Sequence, residues 1–136
     1  MNLYLRAGDK LYLNGAVIRV DRKVSVEILN KVTFLLGTHV LQADEANTPL
    51  RQIYFVIQTM VMDPASSKSV LPMVHSMIMS AIEAFDDARI LSELKRIDEL
   101  ICNAHHFEAM KVLRSLFDPE KRLMSSERTS ASSDAA

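Results

Sequence analysis

Glycine is scarce in this chain and ends early, at Gly8, Gly15 and Gly37. A G-x-G-x-x-G dinucleotide loop, a phosphate loop and a G-x-S-x-G nucleophile elbow all need glycines that the later two thirds lack. The first third contains none of these patterns either, so no cofactor is expected from them and the chain does not read as an enzyme. Cysteine occurs once, as Cys102, which rules out an internal disulfide and makes a reducing cytoplasm the expected compartment. Tryptophan is absent and long apolar runs are missing. The best candidate span, "IYFVIQTMVM", is interrupted by Gln58 and Thr59 and stopped by Asp63-Pro64, far short of the roughly 18 residues a membrane helix needs. At the N-terminus, Arg6, Asp9 and Lys10 bring charge before a signal-peptide core could form, so no secretory signal is expected.

What is present suits one ordinary core: 136 residues, 49% hydrophobic. The net charge of −1 conceals an asymmetry. Residues 1–33 carry Arg6, Lys10, Arg19, Arg22, Lys23 and Lys31 against Asp9, Asp21 and Glu27, a balance of +3; residues 69–136 balance at −3. Such a division suggests an electrostatic division of labour between the two ends, although +3 is modest beside strongly basic nucleic-acid binders.

The glycines punctuate a β-rich part, residues 1–47. "AGDK" separates "LYLR" from "KLYL", and Asn14-Gly15 is a strong hairpin signal. Strands are expected at Leu3 to Arg6, Lys10 to Leu13, Ala16 to Asp21 and Val24 to Leu29, with a fifth in "KVTFLL". An antiparallel meander is the simplest arrangement, with Leu3 and Leu5, Leu11 and Leu13, and Val24, Val26 and Ile28 each on one face. From Thr48 the apolar period becomes helical. Thr48-Pro49 reads as a cap and first helical position, and Leu50, Ile53, Tyr54, Ile57, Met60 and Val61 make a stripe. A second helix fits Ser67 to Phe85, provided Pro72 falls near its first turn. A third is capped at Asp86-Asp87, and a fourth runs from His106 to Phe117 and ends at Asp118-Pro119. The fold class expected is α+β: a meander of four or five short strands followed by about four helices, with residues 48–118 helical in the same domain. Residues 119–136, polar and serine-rich, are expected to be a disordered tail.

Few side chains suggest chemistry. Cys102 with His105 and His106 offers thiolate and imidazole, both zinc ligands, yet adjacent helical residues diverge by about 100° and no fourth ligand has zinc-site spacing, so no metal is assigned. No base lies near Cys102 in sequence, and no catalytic residue is named. The eight methionines fall at core-filling spacing. The cations of the first third are the feature that matters. A solvated sheet face would also alternate charges, but Tyr4 and Tyr12 sit beside Arg6 and Lys10. Cations with aromatic faces are what single-stranded RNA recognition uses.

The stretch "LNGAVIRVDRKVSVEILNKVTFLLGTHVLQADEANTPLRQIYFVIQTMVMDP" resembles the FlbT family of flagellin-synthesis regulators, and the likeness continues through "ILSELKRIDELI" and "HHFEAMKVLRSLF". The resemblance implies a cytoplasmic bacterial protein that binds the 5′ untranslated leader of flagellin mRNA. It would thereby repress translation or promote message decay, although some relatives act positively. On that reading Arg6, Lys10, Arg19, Arg22 and Lys23, with Arg51 at the first turn of the first long helix, hold leader phosphates while Tyr4 or Tyr12 stacks a base. The alternative is a protein-interaction module whose helices dock a flagellin, a flagellar chaperone or an FlaF-type partner regulator. Exposed strand edges point to a homodimer. A weaker likeness, in the strand and glycine-turn order of "LYLRAGDKLYLNGAVIRV", is to the small carbon storage regulators.

Overall fold

The computed structural model describes residues 2–135, with side chains described through Ser126. Five antiparallel strands come first: β1 (Asn2–Leu5), β2 (Lys10–Leu13), β3 (Ala16–Arg19), β4 (Val24–Glu27) and β5 (Phe34–Leu36). Four helices follow: α1 (Pro49–Met62), α2 (Ser67–Ala84), α3 (Ala88–Cys102) and α4 (His106–Ala135). The α+β class is as expected, but the pairing is nested where a meander would be sequential. β1 pairs with β4, and β2 lies between β3 and β5 in a separate sheet. The β2–β3 hairpin turns at Asn14 and Gly15 with φ of 48° and 89°, the two positive values that match the twist of the flanking strands. Arg6 to Asp9 make the other reversal. Asp9 accepts a hydrogen bond from the Arg6 N–H at 2.8 Å, and Gly8 takes φ 87°.

The reason for the nesting is apolar. Leu3 and Leu5 of β1, with Val24 and Val26 of β4, face Leu11, Phe34 and Leu36 of the other sheet, and the two layers close a small core. A sequential meander would put these residues in one layer with one face unburied. The opposite face of the three-stranded sheet, carrying Tyr12 and Leu35, packs on the helical core. Phe34 and Phe107 of α4, with ring centroids 4.8 Å apart, close the seam between the β head and the helical body.

In the body, α1 packs on α2 and α4, and α3 packs on the same two, so the four helices form a ring. Leu50, Ile53, Ile57, Val74, Ile78, Ile90, Leu94, Ile97, Met110 and Leu113 fill it, each worth about 1.5–3 kcal/mol of apolar burial. Buried Gln58 replaces a strand partner: it accepts from the Leu41 N–H at 2.7 Å and donates to the Leu41 carbonyl at 2.9 Å, tying the β5–α1 connection to α1.

Two proline expectations need correction. Pro72 lies in the second turn of α2, because a 3-10 turn at Pro64–Ser66 leads straight into the helix at Ser67. Nor does α4 end at Asp118-Pro119; the backbone continues helical through it. Glu120 is the cause. Its carboxylate is fully buried and accepts from the Thr48 hydroxyl and, at 2.9 Å, from the Leu50 N–H, so it caps the N-terminus of α1 from another helix. Residues 119–126 are therefore part of the fold and not of a disordered tail, while the side chains after Ser126 lie outside the described residues.

Candidate nucleic-acid interface

Three surface clefts run from the β head onto the helical body. The first, 350 Å³, lies where β1 ends, β2 begins and β5 ends, and is lined by Tyr4, Arg6, Asp9, Lys10, Gly37 and Thr38. Gly37 allows the approach of these segments, since a Cβ there would stand 2.9 Å from the Lys10 carbonyl oxygen. Thr38 also lines the second cleft, 360 Å³, together with His39, Arg51, Tyr54, Arg114, Phe117 and others. Arg51 and Glu45 carry on into the third, which ends at Lys121.

Of the residues expected from sequence, Arg6 and Lys10 share the first cleft, and Arg19 stands directly opposite Lys10 in the β2–β3 register. Like charges so placed repel, and an anion laid against them relieves that repulsion. Among the described residues the ion pairs are Arg22–Asp21 and Arg96–Glu93, and His75 is in contact with Asp98, so neither Lys10 nor Arg19 is neutralised in that way. Arg22 pairs with Asp21 at 3.3 Å, both side chains largely exposed, and lines none of the three clefts. Lys23 opens the β3–β4 side and lines none of the three clefts. Tyr12 is half-buried against the helical core, whereas Tyr4, 77% exposed, has a free ring. Arg51 joins the group through the body, one cleft away from Lys10.

Sequence reasoning missed Arg114. Arg51 lies over the Phe117 ring at 4.8 Å, Phe117 meets Tyr54 edge-on at 5.3 Å, and Arg114 lies 6.0 Å from the Tyr54 ring centre. Two guanidinium groups thus flank an aromatic pair that holds them in place. Arg114 also donates to the Tyr54 hydroxyl at 3.1 Å. Burial, only partly opposed by Arg114, raises the Tyr54 pKa above 10.0, so the phenol stays protonated. The available signal was spacing: Arg51/Tyr54 and Arg114/Phe117 each put a cation and an aromatic one turn apart on a helix. Carboxylates are interleaved. Asp9 is occupied with the Arg6 backbone and Glu45 with the Gln42 N–H at 3.1 Å, while Asp44 and Asp118 line the clefts as well. The cations expected to hold leader phosphates are thus interrupted by acids along the clefts.

Fold and clefts together define a small α+β protein with a two-layer β head, a four-helix body and arginine-bearing surface grooves. The chain belongs to the FlbT family: the family model described as "Flagellar protein FlbT" matches residues 1–124. Proteins named "Probable flagellum biosynthesis repressor protein FlbT" are similar to it. The one from Chelativorans sp. (strain BNC1) is 48% identical, covering 91% of this chain and 86% of the relative. That of Mesorhizobium japonicum is 46% identical over 91% and 84%, and that of Agrobacterium fabrum 43% identical over 93% and 85%. No solved structure matches. Among the described residues, no helix is long and apolar enough to cross a membrane.

Proposed function

We propose that this chain regulates flagellar synthesis as an RNA-binding protein, gripping the 5′ untranslated leader of flagellin mRNA and repressing its translation or promoting its decay in the cytoplasm. The role in flagellum biosynthesis comes from the name its relatives carry. The RNA reading rests on one observation: Thr38 joins the cleft of Tyr4, Arg6 and Lys10 to the cleft of Arg51 and Arg114. A single strand laid along that line meets cations in succession and one free aromatic face, Tyr4, on which a base can stack. Phosphate contacts alone choose no sequence, so bases must also be read.

Titration of a labelled flagellin leader at several salt concentrations tests the reading. Four phosphate contacts give a log-log slope of roughly −3 on a single strand. Lys10→Ala/Arg114→Ala should weaken binding and flatten that slope by about 1 to 1.5. Equal affinity and equal slope in wild type and double variant would reject the track.

A protein partner, either a flagellin or an FlaF-type regulator, is the second reading. It draws on a 490 Å³ cleft at the seam of head and body, lined by Ile28, Phe34 and Phe107, where Leu29 is 84% exposed. A flagellar protein that co-purifies after RNase treatment, without enrichment of leader RNA, would favour it. The proposal includes a homodimer formed along β3, an edge strand whose four residues are all exposed.

A further inference from the structure

Three donors of different chemical softness meet between α2 and α3. His75 stands on α2; Asp98 and Cys102 lie four residues apart on α3, so they project from one face of that helix. His75 Nδ1 is 2.7 Å from Asp98 Oδ1, and one donor atom from each of the three residues lies within 4.8 Å of the others. His75 and Cys102 reach solvent and Asp98 is half-buried, so an ion could enter without opening the core. Among the described residues this is the group in which three such donors converge.

We propose that His75, Asp98 and Cys102 form a binding site for a divalent ion of the zinc class, with three protein ligands and an open fourth position. A His–Asp contact between helices needs no thiol beside it. A thiolate added to imidazole and carboxylate selects Zn²⁺ over the hard ions Mg²⁺ and Ca²⁺. Tetrahedral zinc with bonds of about 2.0–2.3 Å sets donor-to-donor edges of roughly 3.3–3.6 Å. The His–Asp pair has to open slightly and the sulfur to close in, by rotation of the exposed His75 and Cys102 side chains. Three ligands with one exchangeable position is the pattern that leaves a metal accessible to water or to a further donor. Bound metal would clamp α2 to α3.

The partners differ from those adjacent in sequence. Ala104 takes a left-handed turn with φ 63° between Cys102 and His105, and His106 Nε2 is engaged by the Ser67 hydroxyl at 3.1 Å. The imidazole that reaches Cys102 instead comes from 27 residues earlier, on the neighbouring helix.

Co²⁺ titration of the full chain in a non-thiol reductant, followed by near-ultraviolet and visible absorption, tests the site. One Co²⁺ per chain is expected, with a thiolate-to-cobalt charge-transfer band and tetrahedral d–d intensity, both bleached by stoichiometric Zn²⁺. Cys102→Ser should abolish the charge-transfer band. His75→Asn and Asp98→Asn should each weaken Zn²⁺, measured against a chromophoric chelator, by at least about tenfold. In wild type, Zn²⁺ should protect Cys102 from alkylation, a readout that depends on no variant's folding. Co²⁺ bound without the thiolate band, Zn²⁺ affinity unchanged in Cys102→Ser, or alkylation unaffected by Zn²⁺ would overturn the proposal.

Discussion

Ala104 occupies a position that glycine usually takes. The His105 N–H donates to the Leu100 carbonyl at 2.7 Å and the Ala104 N–H to that of Ile101 at 3.0 Å, which is the paired closure of a helix end around a left-handed residue. A Cβ at φ 63° costs about 1–2 kcal/mol, of which glycine would return part to unfolded-chain entropy. Ala104→Gly should therefore stabilise the protein by about 0.5–1 kcal/mol, read from the denaturant midpoint. Two histidines act in the opposite sense. Burial, and then the Arg114 charge, holds His39 below the ordinary value of 6.5; burial, and then His105, does the same to His106. Each Nδ1 is buried without a hydrogen-bond partner, so protonation has no acceptor to meet. The unfolded chain then binds protons more readily than the folded one, and stability is full above 6.5 and lost as pH falls through the lower folded values. The urea midpoint should drop between about pH 7.5 and pH 5.5. His39→Gln/His106→Gln should flatten that drop, and an unchanged slope would assign the pH dependence to other groups.

At the level of elements, one contact joins the two ends of the helical ring. Glu120 replaces solvent at the first turn of α1, where unpaired N–H groups would otherwise be buried. Glu120→Ala should cost about 2–3 kcal/mol, as expected when a charged hydrogen-bond acceptor is taken from buried donors. Glu120→Gln should cost less, and equal midpoints for all three proteins would show that water substitutes freely. The same contact explains what was legible beforehand. Asn14-Gly15, Thr48-Pro49 and Asp87 announce a turn and two helix starts because their chemistry is local; Thr48 accepts from the Arg51 N–H at 3.2 Å and Asp87 from that of Ile90 at 3.0 Å. Pro119 reads locally as a stop and is overridden by the next residue, Glu120, whose partner Leu50 lies 70 residues away. The β1–β4 pairing was hidden for a similar reason: alternation shows which residues face a core, not which strand supplies the other wall.

For the molecule as a whole, the candidate interface was half visible. Arg6, Lys10 and Arg19 could be picked out because they cluster in sequence, and Arg51 because it adjoins a helix start. Arg114 stands one turn from Phe117 in the sequence, but the ring whose hydroxyl it bonds, Tyr54, lies 60 residues earlier, so spacing alone does not tie it to the other cations. His75 and Cys102 likewise become neighbours only when α2 and α3 pack. The open side of the head gives a further test. Val17, 63% exposed on β3, stands beside unpaired backbone groups, and a charge there should block edge-to-edge pairing. Val17→Lys should convert a dimer to a monomer in sedimentation, and a wild type that is monomeric at every concentration would remove the homodimer.

That bare edge has one more consequence. Two copies joined along it would carry two tracks on one rigid body, and a transcript long enough to reach both would bind the second at a high effective concentration. Occupancy of the leader would then rise with the square of protein level while copies are few, giving a threshold where a single copy gives only a graded response.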